Sequence, residues 1–234
     1  MSKRQVQVMV HGRDGRMGSR VVDLLRNDAR FKVVETLATD TRKGARSKSE
    51  QRVIIDFTSD AGAREIVGVA INCRAAVLVC STGLSDKTLR AIRNAEKSVP
   101  VMAAPNTSRG VAVLAFLVRK AVELLGPGVD ADLIEYHHTM KKDSPSGTAL
   151  RLAAAANKAV KGALPAAKIH AVRAGDIVGE HHVHLAIPGE RIFLSHAATS
   201  RDVFARGAIE AAHWLAHQSA GAYQIEDSLG LART

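Results

Sequence analysis

Gln5 to Val10 alternates into an apolar run, the turn HGRDG follows, and Met17 to Leu25 carries apolar residues at helical spacing. This pattern predicts a strand, a glycine turn and a helix. Phe31 to Leu37 reads as a second strand. Val53 to Phe57 (VIIDF) reads as a third, buried on both faces. Ala61 to Ile71 has helical spacing, and Ala75 to Cys80 (AAVLVC) is another buried strand. Asp86 to Lys97 forms a helix opened by Ser85, and Val101 to Ala104 a short strand stopped by Pro105. Strands alternating with helices imply right-handed crossovers and a parallel sheet.

After Asn106 the pattern changes. Val111 to Leu125 is a long, mostly apolar helix ended by GPG, and it reads as the joint between two lobes. Asp132 to His137 is a strand, a loop carries KKDSPSG, and Thr148 to Val160 is an Ala-rich helix. Lys168 to Val172, His181 to Ile187 and Arg191 to Ala197 alternate at period two, with a hairpin turn at PGE 188–190. Val203 to His217 returns to helical spacing before a short YQIEDSLGL segment. The expected fold is α/β, a Rossmann-like dinucleotide-binding domain (1–107 and 200–234) with a second, mixed α+β sheet domain (108–199).

Of the 234 residues 46% are hydrophobic, enough for one sizeable core or two modest ones. No run of about 18 apolar residues suggests a membrane span, and the basic N-terminus lacks the apolar stretch of a secretion signal. With only Cys73 and Cys80, reduced thiols in a cytoplasmic setting are expected. A formal charge of +10 favours an anionic partner. Aromatics at 3% argue against nucleic acid, whose binders stack bases on aromatic side chains. A phosphorylated cofactor and an acidic small molecule account for the same charge.

Gly12, Gly15 and Gly18 form G-x-x-G-x-x-G between a strand and a helix. Such a turn lets backbone amides approach a pyrophosphate stabilised by the helix N-terminus; the other reading is a turn that only packs helix on sheet. Asp40 is the nearby acidic candidate for a ribose. Arg42, Lys43, Arg46 and Lys48 after it, with Arg16 in the turn, are cations for a 2′-phosphate or simply a solvated basic loop. NADPH and NADH are both compatible with this composition.

Glu135 to Ala149, EYHHTMKKDSPSGTA, delivers two histidines and a lysine to a loop that opens a helix. A histidine exchanges protons near neutral pH, and a lysine offers charge and a proton to a developing anion. Ser146, Gly147 and Thr148 begin the helix and make a natural carboxylate site.

This stretch resembles the HHxxKxDxPSGTA hallmark of the dihydrodipicolinate reductase family, matched from His137 to Ala149. GRDGRMG at 12–18, VIIDFT at 53–58, STG at 81–83, APNTSRGV at 104–111 and VRAGDIVGEH at 172–181 agree in order. The resemblance implies that His137 is the catalytic acid/base and Lys141 the proton donor, with His138, Gly147 and Thr148 binding the substrate carboxylates. Cofactor contacts would come from Gly12, Arg13, Asp14, Gly15, Arg16 and Met17, from Cys80, Ser81 and Thr82, and from Ala104, Pro105, Asn106 and Thr107. Arg201 and Phe204 would stand on the cofactor side. It further implies NADPH or NADH as reductant, a cyclic imine dicarboxylate as substrate, and a homotetramer built through the C-terminal sheets.

The chain departs from the family pattern at Cys80, where glycine is usual, and at Thr107, where an aromatic is common. It is also short between Asp40 and Val53 and between Lys161 and Lys168. Among His181, His182 and His184, period two puts only the last two on one strand face, with no third ligand, so no metal is expected. Two rivals remain at this stage. A dehydrogenase for another amino-acid precursor would lack the HHxxK and PSGT pairing, and a non-catalytic dinucleotide sensor would be inactive when purified.

Overall fold

The computed structural model describes residues 5–39 and 51–231 and divides into two compact units. One runs through Ser108 and takes up the chain again at Phe204–Gly230; the other is built on Arg109–Val203.

The first unit alternates strands and helices as the periodicity requires: β1 (Val6–His11), α1 (Arg16–Arg26), β2 (Phe31–Val33), β3 (Arg52–Asp56), α2 (Asp60–Cys73), β4 (Ala76–Val79), α3 (Asp86–Ala95) and β5 (Pro100–Ala103). Val53 to Asp56 and every residue of β4 are buried, as expected of strands covered on both faces. Ser59 and Ser85 open α2 and α3, each side-chain oxygen accepting from the first turn.

The second unit begins with α4 (Arg109–Leu125) and continues through β6 (Asp130–His137), α5 (Gly147–Ala159), β7 (Ile169–Arg173), β8 (Gly179–Ile187) and β9 (Glu190–Ala198). Its sheet runs β7-β6-β8-β9, parallel between β6 and β7 and antiparallel elsewhere. The Pro188-Gly189 turn closes the β8–β9 hairpin, with Ile187 opposite Glu190. One face packs Leu133, Val183 and Leu185 against Leu114, Val118 and Val122 of α4 and Leu152 and Ala156 of α5. Each buried Leu or Val among them contributes roughly 1.5–3 kcal/mol.

The chain then re-enters the first unit through α6 (Asp202–Leu215), which Arg30 holds by a two-pronged contact to Glu210 at 2.6 and 2.9 Å, and ends on β10 (Gly221–Tyr223). All six strands of the first sheet are parallel, in the order β10-β5-β4-β3-β1-β2. The winding reverses between β1 and β3, the place where doubly wound sheets bind ligands beyond their strand ends.

Two elements differ from the periodicity. The second strand stops at Val33, because as an edge strand it pairs only with Val6 to Val8 of β1. The closing segment adds a sixth strand, Gly221–Tyr223, whose ladder to β5 no local pattern announces. Cys73 and Cys80 are buried free thiols. Among the described residues, no helix is long and apolar enough to cross a membrane.

Candidate active site

The period-two alternation of β6 builds the site of the second unit. Ala131, Leu133, Glu135 and His137 all turn to the buried face, so the strand carries its hydrophobic core directly into two ionisable groups. The antiparallel register sets His181 of β8 opposite Glu135, and the parallel register sets Arg173 of β7 beside His137. Ser146 caps α5 by accepting from Ala149 N at 3.1 Å, which brings the start of that helix to the same place.

Glu135 is fully buried and its oxygens are shared among three donors. Oε2 accepts from His137 Nδ1, and Oε1 accepts from Ser146 N at 3.1 Å and from Arg173 Nη2 at 2.9 Å. Burial alone would push this carboxyl up, but the hydrogen bonds from Arg173, Ser146 and His137 outweigh it and hold it below the usual glutamate value. An ionised carboxylate only accepts, so His137 Nδ1 carries the proton and Nε2 is left as the lone-pair nitrogen. Burial, against the pull of Glu135 and aided by the Lys141 and Arg173 charges, lowers the His137 pKa. The imidazole is therefore neutral near pH 7. Gly179 accounts for the uncovered Nε2, since a Cβ there would lie 2.9 Å from it.

Lys141 lies in the loop after β6, its Nζ 2.8 Å from Asp143 Oδ1, and Arg173 Nη2 donates to Asp143 O at 2.7 Å. His138 is half-buried just past β6, and its carbonyl accepts from Lys141 N. Gly147 and Thr148 form the first turn of α5. The structure thus gathers His137, Lys141, Gly147 and Thr148 with three groups to which the motif reading gave no part in this site: Glu135, Arg173 and His181, the last weighed there only as a metal ligand. Glu135 and His137 were separable from their neighbours by period two alone; Arg173 and His181 needed the sheet register.

Donor atoms of Glu135, His137 and His181 all lie within 4.8 Å of one another. The Arg173 guanidinium already supplies the positive charge beside Glu135 that a metal would bring.

In the first unit the expected cofactor residues gather at the carboxyl ends of β1, β4 and β5. Gly12 has φ +84°, and a Cβ on Gly18 would lie 2.0 Å from Gly12 O, so the turn packs too closely for side chains. Gly15 caps α1 with no side-chain hydrogen bond, and Arg16 begins the helix. Ser81 donates to the buried Asp56 at 2.6 Å, as does Thr58, and His11 Nδ1 lies 3.0 Å from the same carboxylate. Asp56, inside the VIIDFT motif, is the organising group that motif reading left without a role. Cys80 and Ala104 are buried, Thr82 and Pro105 exposed. Asn106 accepts from Ser108 N, and Thr107 donates to Phe204 O at 2.6 Å. Arg13 contacts the exposed Glu35, and Asp14 is exposed. Asp40 and the basic residues after it lie outside the described residues.

A nucleotide turn at a sheet's switch point in one unit, and an imidazole and lysine beside a helix N-terminus in the other, define an NAD(P)H-dependent oxidoreductase. The chain belongs to the dihydrodipicolinate reductase family: the family's N-terminal part matches residues 6–107 and its C-terminal part 110–229. It is similar to the 4-hydroxy-tetrahydrodipicolinate reductases of Myxococcus xanthus (40% identical, 86% of this chain, 80% of that one) and Caldanaerobacter subterraneus (37%, covering 95% and 97%). Its fold is similar to a dipicolinate-bound dihydrodipicolinate reductase from Paenisporosarcina, with TM-score 0.76 at 19% identity over 94% of this chain and 98% of that one.

Gly18→Ala is expected to weaken NADPH binding about tenfold or more by displacing the Gly12 carbonyl. Titration of cofactor fluorescence checks this, and an unchanged Kd would refute the close-packing argument. His181 gives a second expectation, because burial, reinforced by the His137 charge, pushes its pKa down from 6.5 to about 3. Between those values the unfolded chain holds the extra proton. The stability is therefore complete above about pH 6.5 and is lost progressively as pH falls from there toward about 3. Lowered values at His137, His196 and His213 act with the same sign. The thermal midpoint should drop between pH 7 and 5, before most carboxylates titrate, and drop less in His181→Gln. Equal slopes would remove His181 from the account.

Proposed function

We propose that this chain reduces 4-hydroxy-tetrahydrodipicolinate, by way of dihydrodipicolinate, to tetrahydrodipicolinate in lysine and diaminopimelate biosynthesis. The observation that carries the reading is the neutral His137 imidazole and the Lys141 ammonium placed with the α5 N-terminus in one unit of a dihydrodipicolinate reductase family member. In this reading 1–107 with 200–234 is the dinucleotide-binding domain and 108–199 the substrate-binding and oligomerisation domain.

The glycine turn fits a dinucleotide. Its backbone is bare at Gly12, Gly15 and Gly18, and α1 begins with neither a capping side chain nor an acidic residue in its first turn, leaving its positive end for a pyrophosphate. Gly12 to Met17, Cys80 to Thr82 and Ala104 to Thr107 would hold the cofactor, which supplies the hydride. The Ser81 hydroxyl is fixed by Asp56, so this part of the cradle is set before anything binds.

Gly147 and Thr148 at the positive end of α5, with His138, receive the substrate carboxylates. Hydride arrival at the conjugated imine leaves negative charge on the ring, and Lys141 Nζ gives up a proton to neutralise it. His137 presents a neutral imidazole with its Nε2 lone pair open as the acid/base group beside the ring; it becomes a proton donor only below its lowered pKa. Asp143 positions the Lys141 ammonium.

The reading extends to a homotetramer in the cytoplasm. The sheet face of the second unit that α4 and α5 leave uncovered carries Ile134, Tyr136 and the exposed Phe193 and Val172, apolar groups that suit a second copy of the chain. Buried, unbridged thiols suit a reducing compartment.

The test follows NAD(P)H oxidation with substrate generated in situ by a coupled synthase. His137→Ala and Lys141→Ala are expected to lower kcat/KM about 10²–10⁴-fold, and running both cofactors reports preference. A wild type that binds cofactor and turns over with neither would sink the reductase reading in favour of a sensor. By light scattering, the wild type should have the mass of four chains and Phe193→Asp a smaller one; a monomeric wild type would remove the tetramer.

A further inference from the structure

The uncovered face of the second sheet belongs to the proposed tetramer, and the Asp56 cluster belongs to the nucleotide turn. The group whose geometry exceeds what those readings require is the buried carboxylate of β6.

We infer that Glu135 is a positioning residue that holds the acid/base imidazole, the carboxylate-binding end of α5 and the proton-donating loop in one register. The inference rests on the reading of His137, Lys141 and the α5 N-terminus as the active site. Oε2 takes His137 Nδ1–H and so dictates which nitrogen is left for chemistry. Oε1 takes the backbone N–H of Ser146, the cap of α5, so the turn that receives a carboxylate is tied to the same side chain. Arg173 donates through one nitrogen to Oε1, 2.9 Å away, and to the carbonyl of Asp143, whose side chain holds Lys141. The strand end at 135–137, the loop and helix start at 141–147 and Arg173, 38 residues after Glu135, are therefore tied, directly or through Arg173, to one carboxylate.

Stability does not ask for an acid here. The positions before it on this face, Ala131 and Leu133, are apolar, and an apolar residue would continue the core without the desolvation a charge suffers. A carboxylate that orients a histidine while remaining ionised is a known way to set tautomer and aim. The charged and titratable groups facing the His137 ring are Glu135 from its own strand, Lys141 from the following loop, Arg173 from β7 and His181 from β8. Of these, only Glu135 is an anion. Its removal would leave the imidazole among cations and a neutral ring.

The experiment compares wild type with Glu135→Gln in three measurements. ¹⁵N-histidine NMR without substrate is expected to show His137 protonated at Nδ1 in the wild type and this signature lost in Glu135→Gln, with the ring titrating at still lower pH. The Kd of pyridine-2,6-dicarboxylate should rise several-fold, and kcat should fall about tenfold or more, by analogy with carboxylates that hold the far nitrogen of other functional histidines. A variant that keeps the wild-type tautomer, Kd and kcat overturns the inference, as does one that loses the tautomer with kcat and Kd unchanged. If Glu135→Gln does not fold, Glu135→Asp replaces it. A retained Nδ1–H with a raised dicarboxylate Kd then supports the shared tether, and no change in either refutes it. A wild type without turnover would defeat the reductase reading instead, and the substrate-free NMR signature separates the two failures.

Discussion

The fully buried carboxylate of Glu135, accepting from an imidazole, a backbone amide and a guanidinium, is the interaction on which the second unit's site depends. It ionises in the interior only because Arg173 and the Ser146 N–H replace the water it has lost. Once ionised, it compels His137 to carry its proton at Nδ1. That tautomer leaves Nε2 as the lone-pair nitrogen, which Gly179 leaves uncovered, while burial, against the pull of Glu135, keeps the ring neutral.

The same economy appears in the first unit around Asp56. One buried carboxylate at the end of β3 collects Ser81 from just past β4, Thr58 from the turn after β3 and His11 from the end of β1. In each unit a buried carboxylate on a sheet strand gathers polar side chains from neighbouring segments, Asp56 from the last ladder position of β3 and Glu135 from two residues before the end of β6. Hydrophobic packing places the strands; the buried carboxylates aim the side chains at their ends. A site of this kind is rigid because its donors and acceptors are matched, and losing one partner would leave a charge or an amide buried without compensation.

Much of the architecture is legible along the chain. The unbroken apolar runs in VIIDF and AAVLVC forecast a parallel sheet, the caps at Ser85 and Ser146 located two helix starts, and the change to strict alternation after Lys168 located a different sheet. The candidate chemistry was legible too, because His137, Lys141 and the PSGT turn fall within a dozen residues of one another. Strand Gly221–Tyr223 was not, because three residues carry no periodicity and only pairing with Pro100–Met102 makes them a strand.

The sequence by itself determined the two kinds of sheet, the glycine turn and the histidine-lysine loop, because those rest on local alternation, capping and backbone freedom within a few residues. The tertiary structure decided the rest of the site. Which of the clustered histidines joins His137, the choice of Arg173 as the cation of Glu135, and the meeting of Asp56 with Ser81 depend on strand register between segments 25 to 46 residues apart. Register is set by burying one whole face of a sheet at once, and no local pattern contains it.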